Sequence, residues 1–124
     1  MDDLGIRFTI LILLAAMGVL LIWVATAAAS GRLTRNHIAG IRIPSTMASD
    51  EAWLAAHIRA KRPTVWGGVA ALVAGLCAFL PVPTESLSIV VIGASVVVLA
   101  CVLYGARVGS RAAVEVERDK RRAV

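Results

Sequence analysis

The stretch FTILILLAAMGVLLIWVATAAASG, residues 8–31, contains no charged side chain and is almost wholly apolar. Two later stretches, residues 63–84 and 86–106, are also free of charge. Each is longer than the roughly 18 apolar residues that indicate a membrane-spanning helix, because a bilayer core requires about 20 residues of helix. We therefore predict an all-α integral membrane protein with three transmembrane helices, at about residues 8–29, 64–82 and 86–106.

The composition of the chain agrees with this class. Hydrophobic residues make up 59% of its 124 residues and charged residues 17%, whereas about a quarter of the residues in a soluble domain are charged. A soluble protein of this length could not cover three helices that are apolar all round. We expect residues 1–124 to form a single membrane domain.

The positions of the basic residues predict the orientation. Of the 13 Lys and Arg, six lie in the loop at about residues 32–62 and six in the tail, residues 107–124. Short basic segments remain in the cytoplasm, so we expect a cytoplasmic loop and tail and an N-terminus outside. Trp23, Trp66 and Tyr104 would then lie at the cytoplasmic interface, where amphipathic rings prefer to sit.

The first apolar stretch has a second interpretation. The segment ATAAAS, residues 25–30, contains the small-x-small pattern of a signal-peptidase site. The long apolar region and the acidic residues Asp2 and Asp3 in front of it favour an uncleaved span instead.

The net charge of +5 raises the question of nucleic acid binding. The basic residues flank membrane segments, however, where they favour anionic lipids at the cytoplasmic face. They do not form a basic stripe interleaved with stacking aromatic residues, which single-strand binding requires. We expect the lipid bilayer as a partner and no nucleic acid.

The second span contains small residues at every fourth position, Gly67, Ala71 and Gly75. Such a pattern allows close helix packing in lipid. The neighbour could be the first span, the third span or another protomer.

The loop contains a predicted helix at residues 50–61. Ser49 is a good N-cap residue, and Trp53 and His57 share one helical face. Pro63 should end this helix. We predict a short amphipathic helix in the membrane interface beneath the bundle, with Trp53 and His57 packed inward against the spans.

The sequence contains no motif typical of a catalytic, metal-binding or phosphate-binding site. Neither His37 nor His57 belongs to a metal motif, no nucleophile has an evident base, and no Gly-rich phosphate loop occurs. The spans also lack the ionisable residues that usually mark a transport path. We expect no enzyme, no catalytic residue, no metal, no cofactor and no small-molecule substrate.

The loop also contains a motif of eight spaced residues, which are Asn36, Gly40, Arg42, Pro44, Thr46, Ser49, Trp53 and His57. This motif resembles the signature of the SdpI family of bacterial membrane proteins, whose founding member gives immunity to a secreted toxic peptide. The chain departs from the family pattern at Lys61, where a Gly is usual, and we expect it to lack the extra N-terminal spans of larger members.

The resemblance implies a multi-pass protein of the bacterial plasma membrane that acts in toxin immunity or membrane signalling. The motif residues would then bind a membrane or cytoplasmic protein through the cytoplasmic loop. Two alternatives remain open. The motif could be purely structural, and the protein could be a non-catalytic accessory or scaffold subunit of a larger membrane complex.

Overall fold

The computed structural model describes residues 2–124 and consists of three long helices. These are α1 (Asp3–Ala29), α2 (Asp50–Cys77) and α3 (Leu87–Ala123), with a short 3₁₀ turn at Thr84–Ser86 before α3. No strand occurs in residues 2–124. The predicted all-α class is therefore confirmed.

Two segments are long and apolar enough to cross a membrane, namely α1 and Thr84–Ala123, which is α3 with its preceding 3₁₀ turn. In the most apolar window of each, only 17% of the residues are buried. A core helix of a soluble protein would bury most of these side chains, whereas a helix in lipid can leave them on the outside. The exposed apolar surface of α1 and α3 is that of a membrane protein.

The prediction that a helix ends at Pro63 is wrong, because α2 continues through this residue to Cys77. Proline removes one backbone hydrogen bond from a helix, but α2 continues past it while packed against α3. A Cβ on Gly105 of α3 would lie 3.4 Å from both the Ala60 carbonyl oxygen and the Pro63 ring. Residues 50–61 are thus the first part of α2 and do not form a separate interfacial helix.

The predicted span at residues 64–82 is also shorter in the structure. The apolar part of α2, residues 63–77, is roughly 22 Å long at about 1.5 Å per residue. A hydrocarbon core is about 30 Å thick, so α2 is not one of the two helices that meet the criteria for a span. Three complete spans are therefore not confirmed.

The predicted tail, residues 107–124, is helical as far as Ala123 because it is the second half of α3. This half packs along the first half of α2. A Cβ on Gly109 would lie 2.7 Å from the Ala56 carbonyl oxygen, and Ala113 is buried in a cluster with Ala52 and Ala56. The first half of α2 and the second half of α3 therefore pack side by side beyond the apolar part of the protein.

The small residues of α2 lie at its contacts with both neighbours, all within the chain. A Cβ on Gly67 would lie 3.1 Å from Cβ of Cys101 in α3, and one on Gly75 would lie 3.3 Å from the Leu11 carbonyl oxygen in α1. Ala71 between them is fully buried. α2 is therefore the central helix of the bundle.

Arg7 ties the start of α1 to the turn that follows α2. Its Nη1 donates to the carbonyl oxygens of Ala78 at 2.7 Å and Leu80 at 3.0 Å, and its Nη2 donates to that of Val82 at 2.5 Å. The last turn of α2 contains no basic residue. Arg7 thus supplies from α1 the positive charge that favours a helix C-terminus.

We predict that Gly18→Ala destabilises the protein. α1 packs tightly on α2 at this residue, where a Cβ would lie 2.6 Å from the Gly68 carbonyl oxygen and 2.9 Å from Cγ of Leu72. Overpacking of this kind costs about 1–3 kcal/mol, so the thermal midpoint in detergent should fall by several degrees.

Gly93→Ala in α3 is the matched control, because a Cβ there meets nothing within 4 Å. It should leave the midpoint unchanged or raise it slightly, since Ala favours a helix. Equal midpoints for the two variants would contradict the proposed packing of α1 on α2.

Candidate functional site

The first residues of the loop between α1 and α2, directly after α1, are hydrogen-bonded to α2. Gly31 has a φ of +84° and reverses the chain after α1, and the Leu33 N–H donates to the Ala27 carbonyl oxygen at 2.9 Å. The Leu33 carbonyl oxygen then accepts a hydrogen bond from Nε1 of Trp53 at 3.0 Å. The start of the loop is thereby fixed to the first turn of α2.

Gly40 brings the loop backbone directly against two buried rings. Its φ is +102°, a conformation that other residues rarely adopt. A Cβ there would lie 2.6 Å from Cη2 of Trp53 and 2.9 Å from Nε2 of His57. Position 40 therefore requires glycine both for its backbone conformation and for space.

His57 holds the next residue of the loop. Its Nε2 accepts a hydrogen bond from the Ile41 N–H at 2.9 Å, and its Nδ1 lies 2.8 Å from the Trp53 carbonyl oxygen. Because Nε2 is an acceptor, the proton of the neutral ring is on Nδ1, which donates to Trp53. Burial lowers the pKa of His57, which favours this neutral form.

The rings of Trp53 and His57 also pack on each other. Their centroids are 4.1 Å apart with an interplanar angle of 34°. The two residues are 2% and 3% exposed. Both residues are therefore buried, but the loop covers their rings, and the predicted packing against the spans stays a prediction.

Thr46 closes the second half of the loop. Its hydroxyl donates to the Ile41 carbonyl oxygen at 2.6 Å and accepts from the Ile43 N–H at 3.2 Å. Thr46 is fully buried. Pro44 is exposed at the corner of this turn, which the bond from the Met47 N–H to the Ile43 carbonyl oxygen completes.

Asn36 and Arg42 bind the backbone of the loop tip, residues 37–43. Oδ1 of Asn36 accepts from the N–H groups of Ile38 and Ala39, both at 2.8 Å. Nη1 of Arg42 donates to the His37 carbonyl oxygen at 2.6 Å. Asn36 is half-buried, whereas Arg42 is exposed.

Ser49 joins the end of the loop to both α2 and α3. Its hydroxyl accepts from the Ala52 N–H at 3.0 Å, as an N-cap should, and donates to Oε1 of Glu117. This bond from Ser49 lowers the pKa of the Glu117 carboxyl. Lys120 completes the contact, with Nζ 2.7 Å from Oε2 of Glu51.

Several residues on which the site depends were not predicted from the sequence, namely Gly31, Leu33, Glu117 and Lys120. Leu33 acts through its carbonyl group, which leaves no pattern in the sequence. Glu117 and Lys120 lie on one face of a helix that was expected to be a basic tail. The four-residue spacing of Gly105, Gly109 and Ala113 was the available sign that this tail packs as a helix.

Most of the motif side chains bond to backbone groups of the loop. Both ring nitrogens of His57 are engaged with backbone groups, so neither is free to bind a metal or to transfer a proton. In residues 2–124, no group of three His, Cys, Asp or Glu side chains is placed to hold a metal ion. The buried motif residues position the backbone, while Arg42 and Pro44 remain accessible.

Comparison with known proteins gives the family. The family model described as the SdpI/YfhL protein family matches residues 32–105, which is 74 of the 124 residues and includes all eight motif positions. The chain belongs to the SdpI/YfhL family and is a membrane protein of that family. No curated protein and no solved structure shows a significant match.

We predict that acid weakens the fold through His57. The folded pKa of this residue lies below its ordinary value of 6.5, so below about pH 6.5 the unfolded chain binds a proton that the folded chain does not. The stability should be complete above pH 6.5 and should decline between pH 6.5 and 5. Thermal unfolding in detergent across this range measures the effect.

Two variants assign the effect to one residue. His57→Gln should be less stable at pH 8 and should lose the decline between pH 6.5 and 5. His37→Gln, which changes an exposed His of the same loop, should keep the decline. A decline that persists in His57→Gln would contradict the assignment.

Proposed function

We propose that this chain is an immunity or signalling protein of the SdpI type that acts through the exposed surface of its loop. The observation that carries the proposal is the combination of a fixed loop backbone with accessible side chains at its tip. Gly40, Trp53 and His57 hold the backbone in place. Ile38 is 87% exposed, Ile43 is 38% exposed, and Arg42 is exposed between them.

The same arrangement supports binding in preference to catalysis. His57 has no free nitrogen, and its role is to accept the Ile41 N–H. A preorganised loop loses little conformational freedom when it binds, which increases affinity. We therefore propose a non-catalytic role without a cofactor or a small-molecule substrate.

The chemistry of the exposed tip fits an amphipathic partner at the membrane surface. Arg42 has five N–H donors, and within residues 2–124 one hydrogen bond from its guanidinium, to His37, is present. The other donors are available for a carboxylate or a carbonyl group. Ile38 and Ile43 on either side provide apolar contact area for a peptide or a membrane protein.

The proposal also includes the orientation. The apolar part of α2 would cross the membrane in addition to α1 and α3. Local thinning of the bilayer would compensate for its short length. The N-terminus would lie outside a bacterial plasma membrane, and the loop, the first half of α2 and the second half of α3 would lie in the cytoplasm. The partition of the basic residues supports this placement.

A second candidate function is that of an accessory subunit in a larger membrane complex. The observation in its favour is a groove of about 500 Å³ between α2 and α3, lined by apolar residues that include Trp66, Val73 and Val97. A helix from another membrane protein would fit such a groove. Lipid chains would cover it equally well, so we place this function second.

We predict that Arg42→Ala abolishes function while the protein still accumulates in the membrane. An arginine that anchors a partner can contribute 2 kcal/mol or more to binding, whereas its single bond to His37 contributes less to folding. Survival of cells exposed to a secreted toxic peptide, capture of partners in mild detergent, and the thermal midpoint are the three measurements.

Arg59→Ala is the matched control, since it removes the same charge from an exposed position of α2 outside the motif. It should leave all three measurements unchanged. An Arg42→Ala protein that is stable and fully active would refute the loop as the working surface. If the unaltered protein gives no protection but captures a membrane complex, the accessory function is favoured.

A further inference from the structure

The loop tip folds back beside the apolar part of α1. A cleft of about 380 Å³ separates them, with Leu20 and Val24 of α1 on one side and Ile38 and Ile41 of the tip on the other. α1 continues to Ala29, so the tip lies about 8–14 Å back from the end of the helix at about 1.5 Å per residue. This level of α1 also contains Trp23, which is suited to a membrane interface.

The surface of the tip continues the outer apolar surface of α1. Ile38 is 87% exposed, Leu20 is 59% exposed and Trp23 is 50% exposed. In water, each would leave apolar area unburied at a cost of roughly 25 cal/mol per Å². In a lipid leaflet the same area is already in an apolar environment.

Part of the tip backbone has hydrogen-bond partners other than water. Irregular backbone at membrane depth is tolerated only when its polar groups find partners other than water. Side chains satisfy many of these groups, and all of the side chains involved belong to the motif. The N–H groups of Ile38 and Ala39 bond to Asn36, that of Ile41 to His57 and that of Ile43 to Thr46, while the carbonyl groups of His37 and Ile41 bond to Arg42 and Thr46.

The charge around the tip suits a phospholipid surface. The guanidinium of Arg42 lies at the His37 carbonyl, at the base of the tip. Long basic side chains near a membrane extend toward the phosphate groups while their stems remain in apolar surroundings. Arg32 earlier in the loop adds positive charge on the same connection.

We propose that the loop tip, residues 37–43, inserts into the phospholipid leaflet at which α1 ends. Ile38 lies among the lipid chains and Arg42 lies at the level of the phosphates. The motif residues that bond to the tip backbone make this insertion possible. The proposal goes beyond the function proposed above, because insertion requires neither a toxin nor a protein partner.

The depth of a spin label at position 38 tests the proposal. The full chain, with Cys77→Ala and Cys101→Ala, receives Ile38→Cys and is reconstituted in vesicles of phosphatidylcholine and phosphatidylglycerol. Because Ile38 is 87% exposed, the label replaces few protein contacts. Power-saturation spectroscopy compares collisions with oxygen, which concentrates in lipid, and with a water-soluble nickel chelate.

Ala48→Cys in the same background is the control, since Ala48 is exposed at the far end of the loop, beside Arg118 and Glu117 of α3. The label at 38 should collide mainly with oxygen and the label at 48 mainly with nickel. Nickel accessibility at 38 equal to that at 48 would overturn the proposal, and would leave the tip in water and open to a protein partner.

Asn36→Ala tests the role of the motif in the labelled chain. It leaves the Ile38 and Ala39 N–H groups without their acceptor, so the label at 38 should move toward water and its nickel accessibility should rise. Circular dichroism confirms that the helices are intact. An unchanged depth would overturn the claim that the motif side chains permit insertion.

Discussion

The contact of Gly40 with the rings of Trp53 and His57 is the constraint on which the loop depends. It places the Ile41 N–H against Nε2 of His57 at 2.9 Å and thereby selects the neutral ring with its proton on Nδ1. A buried N–H without such an acceptor would cost about 1–3 kcal/mol. The hydrogen bonds of Asn36, Arg42 and Thr46 then fix the conformation of the loop backbone, which the contact at Gly40 has already positioned.

The helices provide the surface for this contact because α2 is continuous. Its first half presents Trp53 and His57 to the loop, and its second half lies between α1 and α3 in the apolar part of the bundle. α3 supports the first half from the other side through Gly105, Gly109 and Ala113. The loop is therefore coupled to all three helices.

Much of the helical content could be predicted because it depends on local sequence. The charge-free stretches located all three helices, and Ser49 and the Trp53–His57 face located the start of α2. Pro63 misled the prediction because its effect is local, whereas the contacts of Gly105 with Ala60 and Pro63 are long-range. The bonds of Arg7 to the turn after α2 and of Trp53 to Leu33 join residues distant in sequence, so no local pattern shows them.

The candidate site could likewise be predicted only where it depends on local sequence. The motif spacing identified the residues, but only the folded chain separates those that are buried, such as Thr46 and His57, from Arg42, which is exposed. The tautomer of His57 tests this arrangement most directly, measured by ¹⁵N nuclear magnetic resonance at pH 8, with His37→Gln to assign the signals. We expect a protonated Nδ1, an unprotonated Nε2 and an Ile41 amide protected from exchange. A protonated Nε2 with a freely exchanging Ile41 amide would contradict this expectation.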